Sequence, residues 1–121
     1  MIKFVYVVRR RPDVSPEDFR KYWLESHGPL VRKYAGALRA KRYIQSHTLD
    51  TRFNSIVQQP RGSAPAYDGI TELWWDGMKD LVLTGLSLKG REANKILTQD
   101  EARFCDLPNC SVFFTEEHQI F

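Results

Sequence analysis

The chain predicts an α+β fold of ferredoxin-like type, with elements in the order βαββαβ. Three observations carry that prediction. Four stretches rich in β-branched and aromatic residues, Ile2–Val8 and residues 38–49, 70–75 and 112–120, read as strands. Helical patterning fills the gaps between the first and second and between the third and fourth. Strands one, three and four also carry apolar residues on both sides, which is unusual for a sheet with one solvated face. Helices on one face leave the other bare, and a second copy of the chain is the cheapest cover for it. A homodimer built on the open sheet faces is therefore expected.

In strand one, Ile2, Phe4, Tyr6 and Val8 share one face, and Val5 and Val7 the other. Arg9, Arg10, Arg11 and Pro12 end it. This basic run reads as a solvated strand end, with an anion-binding patch as the minor alternative. Ser15 is a good helix cap, Pro16 suits the first helical position, and Glu17 and Asp18 suit the positive end of the helix dipole. The helix is expected to stop at Ser26 or His27. Gly28 would take a left-handed conformation there, and Pro29 would bar further hydrogen bonding. A short second helix follows through Leu30, Val31 and Tyr34.

In strand two, Tyr43, Gln45 and His47 would share a face. Residues 50–65 read as a long loop, of the kind that is often functional. In strand three, Ile70, Glu72 and Trp74 alternate with Thr71, Leu73 and Trp75. Residues 78–86 and 87–97 read as helical with a break near Gly85. Thr98 to Glu101 resembles a capping box that starts one more turn.

At 121 residues the chain makes one domain. The excess of 18 basic over 15 acidic residues is mild, so anionic ligands are favoured without any implication of nucleic acid. An RNA-binding domain shares the element order, but its third strand needs a basic residue, Gly and spaced aromatics; here that strand carries Glu72 and two Trp. Cys105 and Cys110 fit neither a redox motif nor a zinc pair and read as two reduced thiols. The N-terminus lacks a secretory pattern and no stretch is apolar enough to span a membrane. A cytoplasmic protein without membrane attachment is the expectation.

Phe19, Trp23 and His27 lie four residues apart and share one helix face, so an imidazole ends an aromatic stripe. His27 is thus a candidate acid, base or ligand, against the competing reading of a satisfied core histidine. His47 and Glu72 complete the catalytic candidates. Glu72 sits between Ile70 and Trp74, where desolvation would raise its pKa; a structural carboxylate paired with a cation is the alternative. Tyr6, Trp23, Tyr43, Trp74 and Phe104 are candidate substrate-binding residues, although most aromatics must be core or interface. A pocket between sheet and helices is expected beside Trp23 and His27, with residues 50–65 as a lid. The three histidines, His27, His47 and His118, lack the spacing of a metal motif. No nucleophile elbow, phosphate loop or dinucleotide fingerprint is present, so neither a metal nor a cofactor is expected.

Residues 19–31, reading Phe-Arg-Lys-Tyr-Trp-Leu-Glu-Ser-His-Gly-Pro-Leu-Val, resemble the EthD-domain family. So do residues 42–47, 67–74, 100–104 and 114–118, in order along nearly the whole chain. The resemblance implies a dimeric α+β barrel of ferredoxin-like protomers. It also implies a cofactor-independent dehydratase, decarboxylase, cyclase or isomerase acting by proton transfer on a small hydrophobic, cyclic or polyketide-like molecule. A non-catalytic small-ligand-binding protein, or a haem-binding one with a histidine as axial ligand, remains the alternative.

Overall fold

The computed structural model describes residues 1–121 as a four-stranded antiparallel sheet with helices on one face. Strand β1 (Ile2–Val8) leads to helix α1 (Pro16–Tyr22), a π-helical turn (Trp23–His27) and helix α2 (Gly28–Leu38). Strand β2 (Arg42–His47), the short helix α3 (Phe53–Gln58) and strand β3 (Gly69–Trp75) follow. Helices α4 (Met78–Leu86) and α5 (Leu88–Glu101) then precede strand β4 (Ser111–Glu116). The strand order is β2-β3-β1-β4, every neighbouring pair antiparallel. This is the ferredoxin-like arrangement that the sequence predicts. No helix is long and apolar enough to cross a membrane.

Side-chain alternation divides the sheet. Tyr6, Val8, Leu73 and Trp75 enter two buried clusters beneath the helices. One holds Phe19, Trp23 and Phe104; the other holds Val31, Leu38, Ala93 and Leu97. Val5, Glu72 and Ile44 are register partners pointing the opposite way. Ile70 and Phe113 share that outer face and are exposed. Gly69 is required where the Trp23 ring crosses the sheet, since a Cβ there would lie 2.5 Å from that ring.

Several local expectations are corrected. Ser15 does cap α1, accepting from the Asp18 N–H at 3.1 Å. The helix, however, does not stop at His27. Gly28 is right-handed (φ −54°, ψ −53°) and its N–H reaches back five residues to the Trp23 carbonyl. The widened turn moves aside the carbonyl that the Pro29 ring would otherwise strike, so proline is absorbed without a chain reversal. The Gln45 amide also donates to the Trp23 carbonyl, at 2.7 Å. The left-handed cap falls instead at Arg39 (φ 60°), after α2. Strand two is shorter than residues 38–49, because Leu38 still belongs to α2 and its carbonyl accepts from Trp75 Nε1 and Thr84 Oγ1. The last strand ends at Glu116 rather than 120.

The α4–α5 break lies at Ser87, whose hydroxyl accepts from the Gly90 N–H, and not at Gly85. Gly90 packs so closely that a Cβ would meet the Thr84 carbonyl oxygen at 2.1 Å. Thr98 to Glu101 is the last turn of α5 and starts nothing new.

Candidate functional site

A cavity of about 740 Å³ opens between the inner sheet face and the helices, and 18 of its 25 lining residues are apolar. Polar groups inside such a wall are therefore few and well defined. Tyr6, Trp23, His27, Tyr43 and Phe104 all line it, in the place that the sequence suggests for a pocket.

His27 is 5% exposed. Its Nδ1 lies 2.7 Å from Asp100 Oδ2, and the other carboxylate oxygen accepts from the Tyr22 hydroxyl at 2.5 Å. An ionised carboxylate only accepts, so Nδ1 carries the proton and Nε2 keeps its lone pair. Burial lowers the His27 pKa, and Asp100 pulls part of the way back. The imidazole is thus neutral at pH 7 and competent as a base. No helix C-terminus lies at His27 to favour its charged form, because the helix runs on past it.

Glu101 is the one carboxyl on the wall, and sequence reasoning does not single it out. Burial pushes its carboxyl up to about 7. The nearby Tyr6 hydroxyl works against that shift, while Cys110 and Asp100 add to it through their charge. The same burial, with Glu101 beside it, raises the Tyr6 phenol. Reading residues 98–101 as a capping box hid the placement of Glu101 on the cavity wall. The signal was nonetheless present, since Asn94, Leu97, Thr98 and Glu101 recur at helical spacing and all four line the cavity.

The other candidates lie elsewhere. Glu72 points from the outer sheet face and pairs with Lys3 at 2.8 Å. It cannot be the complement of His27, because successive residues of a strand face opposite ways and the cavity takes Thr71 and Leu73. Trp74 shares the outer face, between Lys3 and Arg42 as cation–π partners, and its indole donates to Glu117. His47 stacks on Trp23 with ring centroids 4.3 Å apart, and its Nε2 meets Gln45 Oε1 at 2.8 Å. It is not among the cavity-lining residues, whereas the Trp23 ring on which it stacks is. Gln45 also donates to the Tyr43 hydroxyl at 2.8 Å, which orients that phenol. Residues 50–65 do not line the cavity either. They fold into α3 and a single 3-10 turn, with Phe53, Ile56 and Val57 exposed, so the expected lid is not at this site.

The EthD domain model matches residues 11–108 of the chain. The chain belongs to the EthD-domain family. Tyr22, His27, Asp100 and Glu101 all fall inside the matched EthD segment. Solved structures agree on the fold. An ethyl tert-butyl ether d (EthD) family protein from Bacillus halodurans is 18% identical with a TM-score of 0.63, over 98% of this chain and 99% of that one. A dimeric protein of unknown function and ferredoxin-like fold from Bacteroides fragilis is 10% identical with a TM-score of 0.58, over 96% and 95%. A dimeric ferredoxin-like protein of unknown function from Thermobifida fusca is 15% identical with a TM-score of 0.59, over 96% and 90%. Comparison with curated proteins found no match.

Proposed function

We propose that this EthD domain is a cofactor-independent enzyme that moves protons on a small hydrophobic, cyclic or polyketide-like molecule held in the cavity. The observation that supports this most is Glu101, a carboxyl on an apolar wall with its pKa pushed up to about 7. A group with that pKa exchanges protons readily near neutral pH, which suits general acid–base work. His27 offers a neutral Nε2 on the same cavity, held in one tautomer by Asp100. In this reading His27 Nε2 takes a proton from the substrate, and protonated Glu101 gives one to the oxygen that gains charge or leaves. Tyr6 and Tyr43 hold substrate oxygens. An elimination, decarboxylation, cyclisation or isomerisation needs no more than such a pair, in the manner of lyases and isomerases.

The functional unit in this reading is a homodimer. Val5, Ile44, Ile70 and Phe113 place an apolar strip on the open sheet face. The Bacteroides and Thermobifida neighbours are themselves described as dimeric.

The apolar lining also suits a second reading, a binding protein that holds the same molecule without changing it. Native mass spectrometry after mild purification identifies the bound molecule, and turnover assays on it separate the two readings. Enzyme action predicts product formation that Glu101→Gln slows by about 10²–10⁴-fold. Binding without product formation, unaffected by Glu101→Gln, overturns the enzyme reading.

A further inference from the structure

Cys105 and Cys110 take no part in that chemistry, yet the fold brings them together at one end of the cavity. Cys105 is buried and lines the cavity wall. Cys110 is half-buried, packs against the core cluster that contains Cys105, and forms no disulfide. A single 3-10 turn, Leu107–Asn109, separates them. Both ends of that turn are tied to the end of β1. Arg10 bridges Cys105, the Asp106 N–H donates to the Arg9 carbonyl at 2.8 Å, and the Arg9 N–H donates to Cys110 Sγ at 3.3 Å. The two thiols differ in character. Interaction with the neighbouring Cys105 thiol, and after it the Arg9 N–H, pulls Cys110 down to about 7 against the effect of its burial. The same partnership and burial push Cys105 up. The Cys110 Sγ also donates to the Asp106 carbonyl at 3.2 Å, so a part-buried thiol that ionises more easily than its neighbour stands beside a buried one, an attacking and resolving arrangement.

We propose that Cys105, on the cavity wall, and Cys110, packed behind it, form a reversible thiol–disulfide site, closed by an oxidant of the peroxide class and reopened by a thiol reductant. In the first step the Cys110 thiolate attacks a peroxide oxygen. The S–O bond forms, the O–O bond breaks, hydroxide leaves, and Cys110 is oxidised by two electrons to a sulfenic acid. In the second step the Cys105 sulfur displaces that hydroxyl. The S–S bond forms, the S–O bond breaks, and the thiol proton departs with the hydroxyl as water. A dithiol reverses the result by exchange, becoming a disulfide itself. Closure removes the negative charge of Cys110 from beside Glu101 and pins the turn that carries the cavity residue Leu107.

The test is intact-mass analysis of the full chain at neutral pH, before and after sub-millimolar hydrogen peroxide. The expected product has lost two hydrogens, resists N-ethylmaleimide after denaturation, maps to a link within residues 105–110, and reverts with dithiothreitol. Cys105→Ser should stop at a dimedone-reactive sulfenic acid on Cys110. Cys110→Ser should react about tenfold slower or less, since the remaining thiol is buried and protonated. Should either variant fail to fold, the wild-type mass and peptide map still decide. Two thiols that stay alkylatable, oxygen adducts without loss of hydrogen, or a link between two chains would overturn the proposal.

Discussion

Two glutamates sit on opposite sides of one sheet, and their difference shows what sets the chemistry of a carboxylate. Glu72 lies between Ile70 and Trp74 in sequence, which on paper is an apolar setting. In space Lys3 approaches it at 2.8 Å, on a face that solvent reaches. Glu101 ends a mostly polar helix, which on paper is an ordinary surface setting. In space it closes an apolar cavity wall, with the Tyr6 phenol as a neighbour and no cation paired with it. Burial with no cation paired to it keeps the proton on Glu101 to higher pH. Sequence neighbours therefore mislead for strands, where they face the other side, and for helix ends, where the partners come from elsewhere.

The largest expected contrast is in turnover. With the molecule identified by native mass spectrometry, Glu101→Gln should lower kcat by about 10²–10⁴-fold, the usual contribution of a general acid or base. His27→Gln should do the same, because Gln keeps a hydrogen bond to Asp100 but cannot shuttle protons. Glu72→Gln should leave kcat near the wild-type value. Steady-state kinetics on the three variants, with melting curves as a control on folding, breaks the comparison if Glu72→Gln is the damaging change.

The outer face should instead respond in assembly. Phe113→Asp puts a charge into the apolar strip, where it would be buried without a partner in the dimer. Sedimentation at micromolar concentration should show twice the chain mass for the wild type and a single chain mass for this variant, with an unchanged circular dichroism spectrum. A wild-type protein that sediments as one chain ends the dimer reading.

Much of the architecture was legible because it depends on periodicities local to each segment. The alternation in Ile2–Val8 fixed β1 to the residue, and Ser15 with Pro16 fixed the start of α1. The pocket beside Trp23 and His27 was legible for the same reason, since Phe19, Trp23 and His27 share a helix face. What failed depended on contacts between distant segments. The π-helical turn is supported by Gln45 from β2, which nothing near Pro29 announces. The partner of His27 is Asp100, 73 residues away, and not the strand acid Glu72. The predicted lid failed because the exposed apolar residues of α3 lie away from the cavity, and loop length carries no direction.

Stability should also separate the two faces. Glu101 holds its proton up to about 7 in the folded chain, against an ordinary value of 4.5. Between those values the folded state binds a proton that the unfolded state releases. Its contribution is therefore full below pH 4.5 and is lost as pH rises through about 7, at a cost of about 1–3 kcal/mol. His27 acts in the opposite sense. Its folded pKa is depressed, so stability falls as pH drops below its ordinary 6.5. Denaturant titrations at pH 5 and pH 8 should show that Glu101→Gln removes part of the loss toward pH 8. A wild-type slope retained in that variant would place the titrating group elsewhere, and Glu72→Gln is the control from the outer face.

The smallest expected effect is at Tyr22, whose hydroxyl reaches the site only through Asp100. Tyr22→Phe removes the 2.5 Å hydrogen bond to one carboxylate oxygen, while the other oxygen keeps His27 at 2.7 Å. Tyr22 is only half-buried, so water can take the vacated place and the stability cost should be about 1 kcal/mol. The electrostatic consequence is more specific. With Tyr22 gone, only Arg103 Nε at 3.8 Å stays near that oxygen, and the carboxylate presents more of its charge to His27, which favours imidazolium. The His27 pKa should therefore rise, by less than about one unit, and the low-pH limb of the rate profile should move with it. The resonance of His47, which has Gln45 and Trp23 as its neighbours and no contact with Asp100, should titrate as before. NMR titration of the imidazole protons reads both histidines in one experiment. A His27 pKa that stays fixed would mean that Tyr22 only packs against Phe104, and that Asp100 alone orients the base.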